Sequence, residues 1–513
     1  MGSNFLVCDH ERDLEMPRNA RDWLPPEHLC WKVLEVVGEL DLSAFERSYR
    51  ADGQGGAAYP PANLVGLLLY CYSKGVRSSR QIERACWDDV GCRVITGNRP
   101  VDHSTVARFV RRHREALKAL FVQVLALCGQ RGLVNLSAVA IDGSPMEANA
   151  SRGSNQRLQQ LEETISRCQA EIHELMEGAL AHARNVEAKA DDSERVNGIA
   201  GSDDLPRLLR LSDLLARACL ARDKLHERAL PSPGEMRIKV EAAERVVTRA
   251  EHRLAAETAA HQERLRRYEA RAEEDRAAGR RGANGRRPVP LQHKTVLVRQ
   301  RDRLVKARAQ LERARNPRPA PSPQSRACLS DPDSRLIPGK RGGYLQGYNV
   351  QIACTRRQLL LAIEVHDNPS DATALVPMVK QTQRNHQAAG LVGDIQLWLA
   401  DSGYASAAAF EALAGLPLLV SVTSEANQAG FSAKREQARA SHQEMAGLLA
   451  TPTGRAQYRQ RSALVEPGFA QLFQRFGRHL NYRGRQAVDT ELKLLGAAHN
   501  LSKLLSRTTQ TCS

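Results

Sequence analysis

Aromatic side chains are scarce. Phe, Tyr and Trp supply 4% of the 513 residues, and the mean hydropathy is -0.45, which argues for long solvated helices. No run of about 18 apolar residues occurs, which excludes an ordinary membrane-spanning helix. The N-terminus lacks a charged-then-apolar pattern, so no secretory signal is expected. The eleven cysteines are odd in number and contain no Cys-x-x-Cys pair, so neither a disulfide framework nor a zinc site is indicated. Reduced, mostly buried thiols of a cytosolic protein are expected instead. Acid is in deficit: 58 Asp and Glu face 74 Lys and Arg, giving +16 and a pI near 9.6. That excess points to a polyanionic partner, nucleic acid before an anionic membrane. The length and the 42% apolar content allow two to four domains with at least one sizeable core.

Residues 1–20 are polar and are expected to be poorly ordered. Residues 21–132 read as a helical domain. Helical spacing runs over 27–40; Pro60 and Pro61 open a helix that Lys74 and Gly75 end, and Ser78 to Gln81 cap the next. Asp102 to Thr105 cap a long helix with Arg108, Arg111 and Arg112 outward and Arg114 nearby. Two short helices before an Arg-rich one suggest a helix-turn-helix module contacting DNA. Residues 155–327 change texture. Leu158, Leu161, Ile165, Cys168, Ile172 and Leu175 step by three and four, as do Leu208, Leu211, Leu215, Ala218, Arg222 and Leu225. These are seams of antiparallel or dimeric coiled helices. A basic loop at 279–288 and a Pro-rich linker at 317–323 follow.

Strand patterning appears at 137–142, 348–354, 358–365, 396–400 and 418–422, so residues 133–154 and 328–513 form one α/β unit interrupted by the helical block. Two of these strands run into an aspartate and a turn: Ala140-Ile141-Asp142-Gly143-Ser144 and Leu399-Ala400-Asp401-Ser402-Gly403. Gly143 and Ser144 are expected to turn the chain, with Pro145 forbidding the strand to continue as a central one. A carboxylate at each strand end suggests a site for a hard divalent cation, Mg2+ or Mn2+. Glu444, Glu466 and Glu491 compete as a third ligand. Glu444 lies in a polar, solvated segment, and Glu491 reads as a charged outer position of an amphipathic helix. Glu466, flanked by Leu464, Val465 and Phe469, is expected in a partly buried place, with Pro467 starting or kinking its helix.

Taken in order, these segments resemble the bacterial insertion-sequence transposases of the DDE type. The resemblance rests on Ala140 to Ser144, Ser330 to Arg335, Gly343 to Asn349, Ala400 to Tyr404, Tyr458-Arg459-Gln460-Arg461 with Val465-Glu466-Pro467, and Ala498 to Leu501. It implies a ribonuclease-H-like mixed α/β sheet interrupted by a long helical coiled-coil insertion and preceded by an all-α N-terminal domain. It also implies a metal-binding triad of Asp142, Asp401 and Glu466, with Tyr458, Arg459 and Arg461 on a basic helix gripping DNA phosphates. The expected partner is double-stranded DNA, at element ends and target, bound by a homodimer without any membrane, in the cytoplasm and nucleoid. Phe473 stands where that family carries Lys, leaving Arg475 or Arg478 to supply the charge. The activity implied is metal-dependent strand cleavage and strand transfer. The alternative is a catalytically inactive or repurposed DNA-binding relative.

Overall fold

The computed structural model describes residues 19–22, 24–49, 57–187, 204–230, 233–279, 287–317, 321–339, 342–422 and 433–508. The polar segment expected at 1–20 lies outside them except for its last two residues, as does most of the basic loop, 280–286. Among the described residues no helix is long and apolar enough to cross a membrane. The chain divides into two compact units: residues 1–154 with 330–513, and residues 155–329.

Among the described residues seven α-helices precede the sheet in the first unit: α1 (Leu29–Glu39), α2 (Ser43–Glu46), α3 (Pro61–Ser73), α4 (Ser79–Asp88), α5 (Val90–Ile95), α6 (His103–Arg112) and α7 (Arg114–Gln130). Their ends are set by local chemistry. Pro61 sits at the first position of α3, where its missing N–H costs nothing, and Gly75 leaves that helix at φ 80°. Ser78 and Gln81 form a reciprocal capping box on α4. The Asp102 carboxylate accepts from the Ser104 and Thr105 amides, both at 2.9 Å, which together with their hydroxyls hold its pKa well below the usual range. The long Arg-rich helix expected after it breaks at His113. That buried imidazole packs 4.6 Å from Phe109 and 5.3 Å from Phe45, and the turn it occupies leaves helical geometry.

The sheet comes next. β1 (Val139–Glu147) leads out of the first unit, and β2 (Asn155–Arg157) begins the second, followed by α8 (Leu158–Glu187), α9 (Asp204–Ala229), α10 (Pro233–Ala277), α11 (Thr295–Arg315) and β3 (Arg326–Cys328). In that second unit Leu161 packs with Ala221, Leu225 and Ala327. Arg308 pairs with Glu251 and Arg315 with Glu244, so α11 ascends as α10 descends. Ser154 and Ser330, where the chain leaves and re-enters the first unit, touch through their hydroxyls at 2.8 Å.

Back in the first unit come β4 (Arg335–Pro338), β5 (Tyr344–Thr355), β6 (Leu360–His366), α12 (Leu375–Ala388), β7 (Trp398–Ala400), α13 (Ala407–Ala412), β8 (Leu418–Val420), α14 (Ala433–Ala450), α15 (Pro452–Tyr458), α16 (Gln460–Phe476) and α17 (Arg485–Thr508). Strand order is β4-β5-β1-β7-β8, with β6 also on β5; β1, β5 and β6 pair antiparallel, and β1, β7 and β8 parallel. β1 corrects one expectation. It does not turn at Gly143 but continues to Glu147, with Pro145 opposite Asn349 of β5. Among the described residues the other edge of β1 is paired by β7 only at Val139 and Ala140 and is bridged again only at Glu147, by His479, so a proline lacking an N–H at position 145 breaks no ladder.

Helix α17 lies between α7 and β6. A Cβ on Gly496 would come 2.8 Å from Phe121 of α7 and 2.9 Å from Ile363 of β6. Leu492, Leu494, Leu495 and Leu501 are buried along it, each worth about 1.5–3 kcal/mol. Covered on both sides, the helix has no solvent face for Glu491, which is fully buried instead of outward. Its carboxylate accepts from Arg77 at 3.0 Å and from the backbone amides of Asn481 and Tyr482. Burial raises its pKa and the Arg77 charge opposes that rise. His499, buried in the same helix, donates from Nε2 to the Gln358 carbonyl at 2.7 Å. Burial pushes its pKa down to about 4. The unfolded chain takes up this proton near pH 6.5, so stability is full above that and falls as pH drops toward 4, by about 3 kcal/mol. Urea unfolding of the wild type and His499→Gln across this window checks it: the variant should show the shallower pH dependence.

Candidate active site

Side chains alternate along β1. Val139 and Ile141 enter the core under α12, while Ala140 enters the core shared with α16 and α17. Asp142 therefore projects on the α16 side. The parallel ladder pairs Val139 with Trp398 and Ala140 with Leu399. Two residues further along each strand, Asp142 and Asp401 come abreast. Each carboxylate is fixed by a following glycine amide, Gly143 to Asp142 at 2.8 Å and Gly403 to Asp401 at 2.9 Å. Burial raises the Asp142 pKa to about 6, and the neighbouring Asp401 charge adds to the rise. Against this, Arg461 of α16 donates to Asp142 Oδ2 at 3.3 Å. Tyr458, just before that helix, donates to the Ala400 carbonyl at 3.2 Å and so ties it to the end of β7.

Glu466 stands apart from this pair in exposure. It is solvent-exposed on α16, not partly buried, because Val465 and Gly468 take the positions facing the sheet and Pro467 is carried inside the helix. Its helix is the one that faces the carboxylates. Arg461 reaches Asp142, and a Cβ added to Gly468 would lie 3.5 Å from Ile352, which lies opposite Asp142 in the β1–β5 ladder. Among the described residues no three His, Cys, Asp or Glu side chains converge closely enough to hold a metal ion. The two aspartates nevertheless fit a divalent cation in donor type: hard oxygens, close together, with their mutual repulsion only partly relieved by one guanidinium.

A third carboxylate lies below the pair, and sequence reading missed it. Asp371, in the 3-10 turn before α12, accepts from Gln351 at 2.7 Å and Asn349 at 2.8 Å. A Cβ on Gly143 would lie 2.6 Å from its Oδ1 and 2.2 Å from Gln351 Nε2, so only glycine fits between Asp142 and this network. Tyr404 donates to Gln351, and its pKa is raised by burial and by the charges of Asp371, Asp142 and Asp401. In sequence Asp371 reads only as a helix start.

The remaining basic candidates scatter. Arg108 and Arg111 are exposed on α6, while Arg112 turns back to donate to the Ser48 carbonyl and stacks 5.0 Å from the Tyr49 ring. Arg114 is half-buried on α7, and Arg459 is exposed at the α15–α16 junction. Phe473 stacks on Phe469 at 5.4 Å, Arg478 lies over the Phe473 ring at 4.0 Å, and Arg475 turns to Ser502.

Residues 18–112 match a transposase domain (DUF772), and residues 322–501 match a transposase DDE domain. No curated protein and no solved structure is similar enough to count as a match. The second domain match contains Asp401 and Glu466, whereas Asp142 precedes it across residues 155–329. The two matches together span more than half of the chain, which belongs to the insertion-sequence DDE transposases.

Proposed function

We propose that this transposase cleaves DNA strands at element ends and joins them to target DNA at a divalent-metal site formed by Asp142, Asp401 and Glu466. The observation that carries the reading is that two aspartates follow the Ala140–Leu399 pair of neighbouring parallel strands at the same offset, with Arg461 of α16 on one of them. The strand order β6-β5-β1-β7-β8, antiparallel on one side and parallel on the other, supports a ribonuclease-H-like sheet. The touching ends at Ser154 and Ser330 support residues 155–329 as a helical insertion, with its heptad seams packed as a coiled coil.

In this reading Asp142, Asp401 and Glu466, which is exposed on α16, would hold the metal ion. Bound there, Mg2+ or Mn2+ supplies Lewis acidity toward a scissile phosphodiester. Arg461 holds Asp142 oriented and carries positive charge at the rim, and Tyr458 keeps the end of β7 in register with α16. Arg108 and Arg111 are left outward for duplex phosphates. A DNA-binding relative without catalysis is the second reading, favoured by the exposure of Glu466 and by Phe473 at the family's Lys position.

Glu466→Gln decides between them. It is expected to abolish Mg2+- or Mn2+-dependent cleavage of labelled element-end DNA while changing duplex affinity less than about twofold, because basic groups hold the phosphates. A Glu466→Gln protein that cleaves at the wild-type rate removes Glu466 from the site. Wild-type protein that fails to cleave in either metal supports the non-catalytic relative.

A further inference from the structure

Fourteen residues beyond Arg461, about 21 Å further along α16, a cavity of about 450 Å³ opens between the end of that helix and α17. Its lining carries Arg475, Lys503, Ser502, His499 and glutamine amides, and no carboxylate. Arg475 donates to the Ser502 hydroxyl, and Lys503 lies 3.5 Å from Gln358 Oε1. Neither cation has an acidic partner among the described residues. Elsewhere in the same unit partly buried cations are matched: Arg77 by Glu491, Lys493 by Glu364, Lys118 by Asp489.

Two unmatched cations at one cavity repel each other, and partial burial strengthens that repulsion. Burial lowers the pKa of both Arg475 and Lys503, with the Arg475 charge adding to the shift of Lys503. The same two charges help keep His499 neutral. The arrangement is unfavourable until an anion arrives. A guanidinium fork, an ammonium, a hydroxyl and side-chain amides around a polar hollow are the donor set for a tetrahedral oxyanion.

We propose that Arg475, Lys503 and Ser502 form a phosphate-binding site, distinct from the carboxylate pair, that takes a backbone phosphate of duplex DNA or a free phosphate group. The site depends on neither Glu466 nor a metal, so it stands or falls apart from the catalytic reading. As a DNA contact it would anchor the duplex about 21 Å from Arg461 along α16.

The test uses the full chain and the double variant Arg475→Gln/Lys503→Gln, with Arg475→Lys/Lys503→Arg as the charge-conserving control. Affinity for a fluorescent duplex is measured across a salt series. If the phosphate comes from DNA, the slope of log K against log salt becomes shallower by about 1.8 in the double variant, about 0.9 for each lost contact, and the control keeps the wild-type slope. In a second arm inorganic phosphate is compared with chloride at matched ionic strength. A phosphate-specific rise in Tm in the wild type but not the double variant, with the duplex slope unchanged, assigns the site to a free phosphate group. An unchanged duplex slope together with no phosphate-specific rise in Tm overturns the proposal. Should the double variant lose its melting transition, Lys503→Gln alone is read in both arms, with an expected slope change of about 0.9.

Discussion

Asp142→Asn is expected to slow strand cleavage on the order of a thousandfold or more while making the metal-free protein more stable. The two effects have one cause. Asp142 sits abreast of Asp401 in a largely buried place, and its pKa is raised to about 6 by burial first and the Asp401 charge second. The ionised form therefore costs stability. A carboxyl whose folded pKa lies above its unfolded value of about 3.9 is favoured by folding while protonated. That benefit is complete below the unfolded value and is lost as pH rises through about 6. At neutral pH the ionised side chain costs about 3 kcal/mol, the opposing Arg461 charge included. Asparagine keeps the shape and removes the charge, so the metal-free variant should gain much of this and lose the pH dependence around 6. It also removes a ligand charge from a site whose electrostatic contribution to phosphoryl transfer is several kcal/mol, at about 1.4 kcal/mol for each tenfold in rate. Cleavage assays with metal and urea titrations without it check both sides. Lost activity with lowered stability would instead mark Asp142 as a structural residue, and retained activity would falsify its assignment as a ligand.

Glu491 reverses what its sequence context suggests. As an outer residue of an amphipathic helix, Glu491→Gln should be silent; in the structure it should destabilise the protein by about 3 kcal/mol or more. The carboxylate is fully buried, bonded to Arg77 and to the turn amides of Asn481 and Tyr482. Neutralising it leaves the nearly buried Arg77 guanidinium with one carbonyl, His479 O at 2.7 Å, and no counter-charge. Breaking one half of such a pair typically costs 3–5 kcal/mol, whereas replacing both halves by apolar side chains of similar volume can be neutral. The double variant Arg77→Met/Glu491→Leu is thus expected to recover part of the loss, less what the freed turn amides cost. Equilibrium unfolding of wild type, both singles and the double closes the cycle. A Glu491→Gln midpoint equal to that of the wild type would show that the buried pair contributes nothing. Cleavage in the folded fraction of Glu491→Gln should persist, because the residue serves the fold and not the carboxylate pair.

Local chemistry was legible in the residues themselves. The capping box at Ser78 and Gln81, the Asp102 cap, the proline start of α3 and its exit at Gly75 each involve groups within a few positions of one another. The strands that lead to Asp142 and Asp401 were also readable, since alternation is a short-range signal, but the expected turn follows Asp401 alone and not Asp142. So was the change of texture over 155–327, where helical periodicity repeats for many turns. Tertiary structure alone decided the rest. Whether Pro145 stops a strand depends on which edge is paired, and β7 covers β1 only at Val139 and Ala140. Whether Glu491 meets water depends on what lies on both sides of α17, and Glu466 is exposed because Val465 and Gly468 claim the sheet. Asp371 joins the site floor only because Gly143 leaves room for it, two hundred residues away in the chain as an order of magnitude. Sequence spacing determines what neighbours along the chain can do for one another. Burial, like charges brought abreast and cations left without acids are properties of surfaces that meet in space, and those were set by packing.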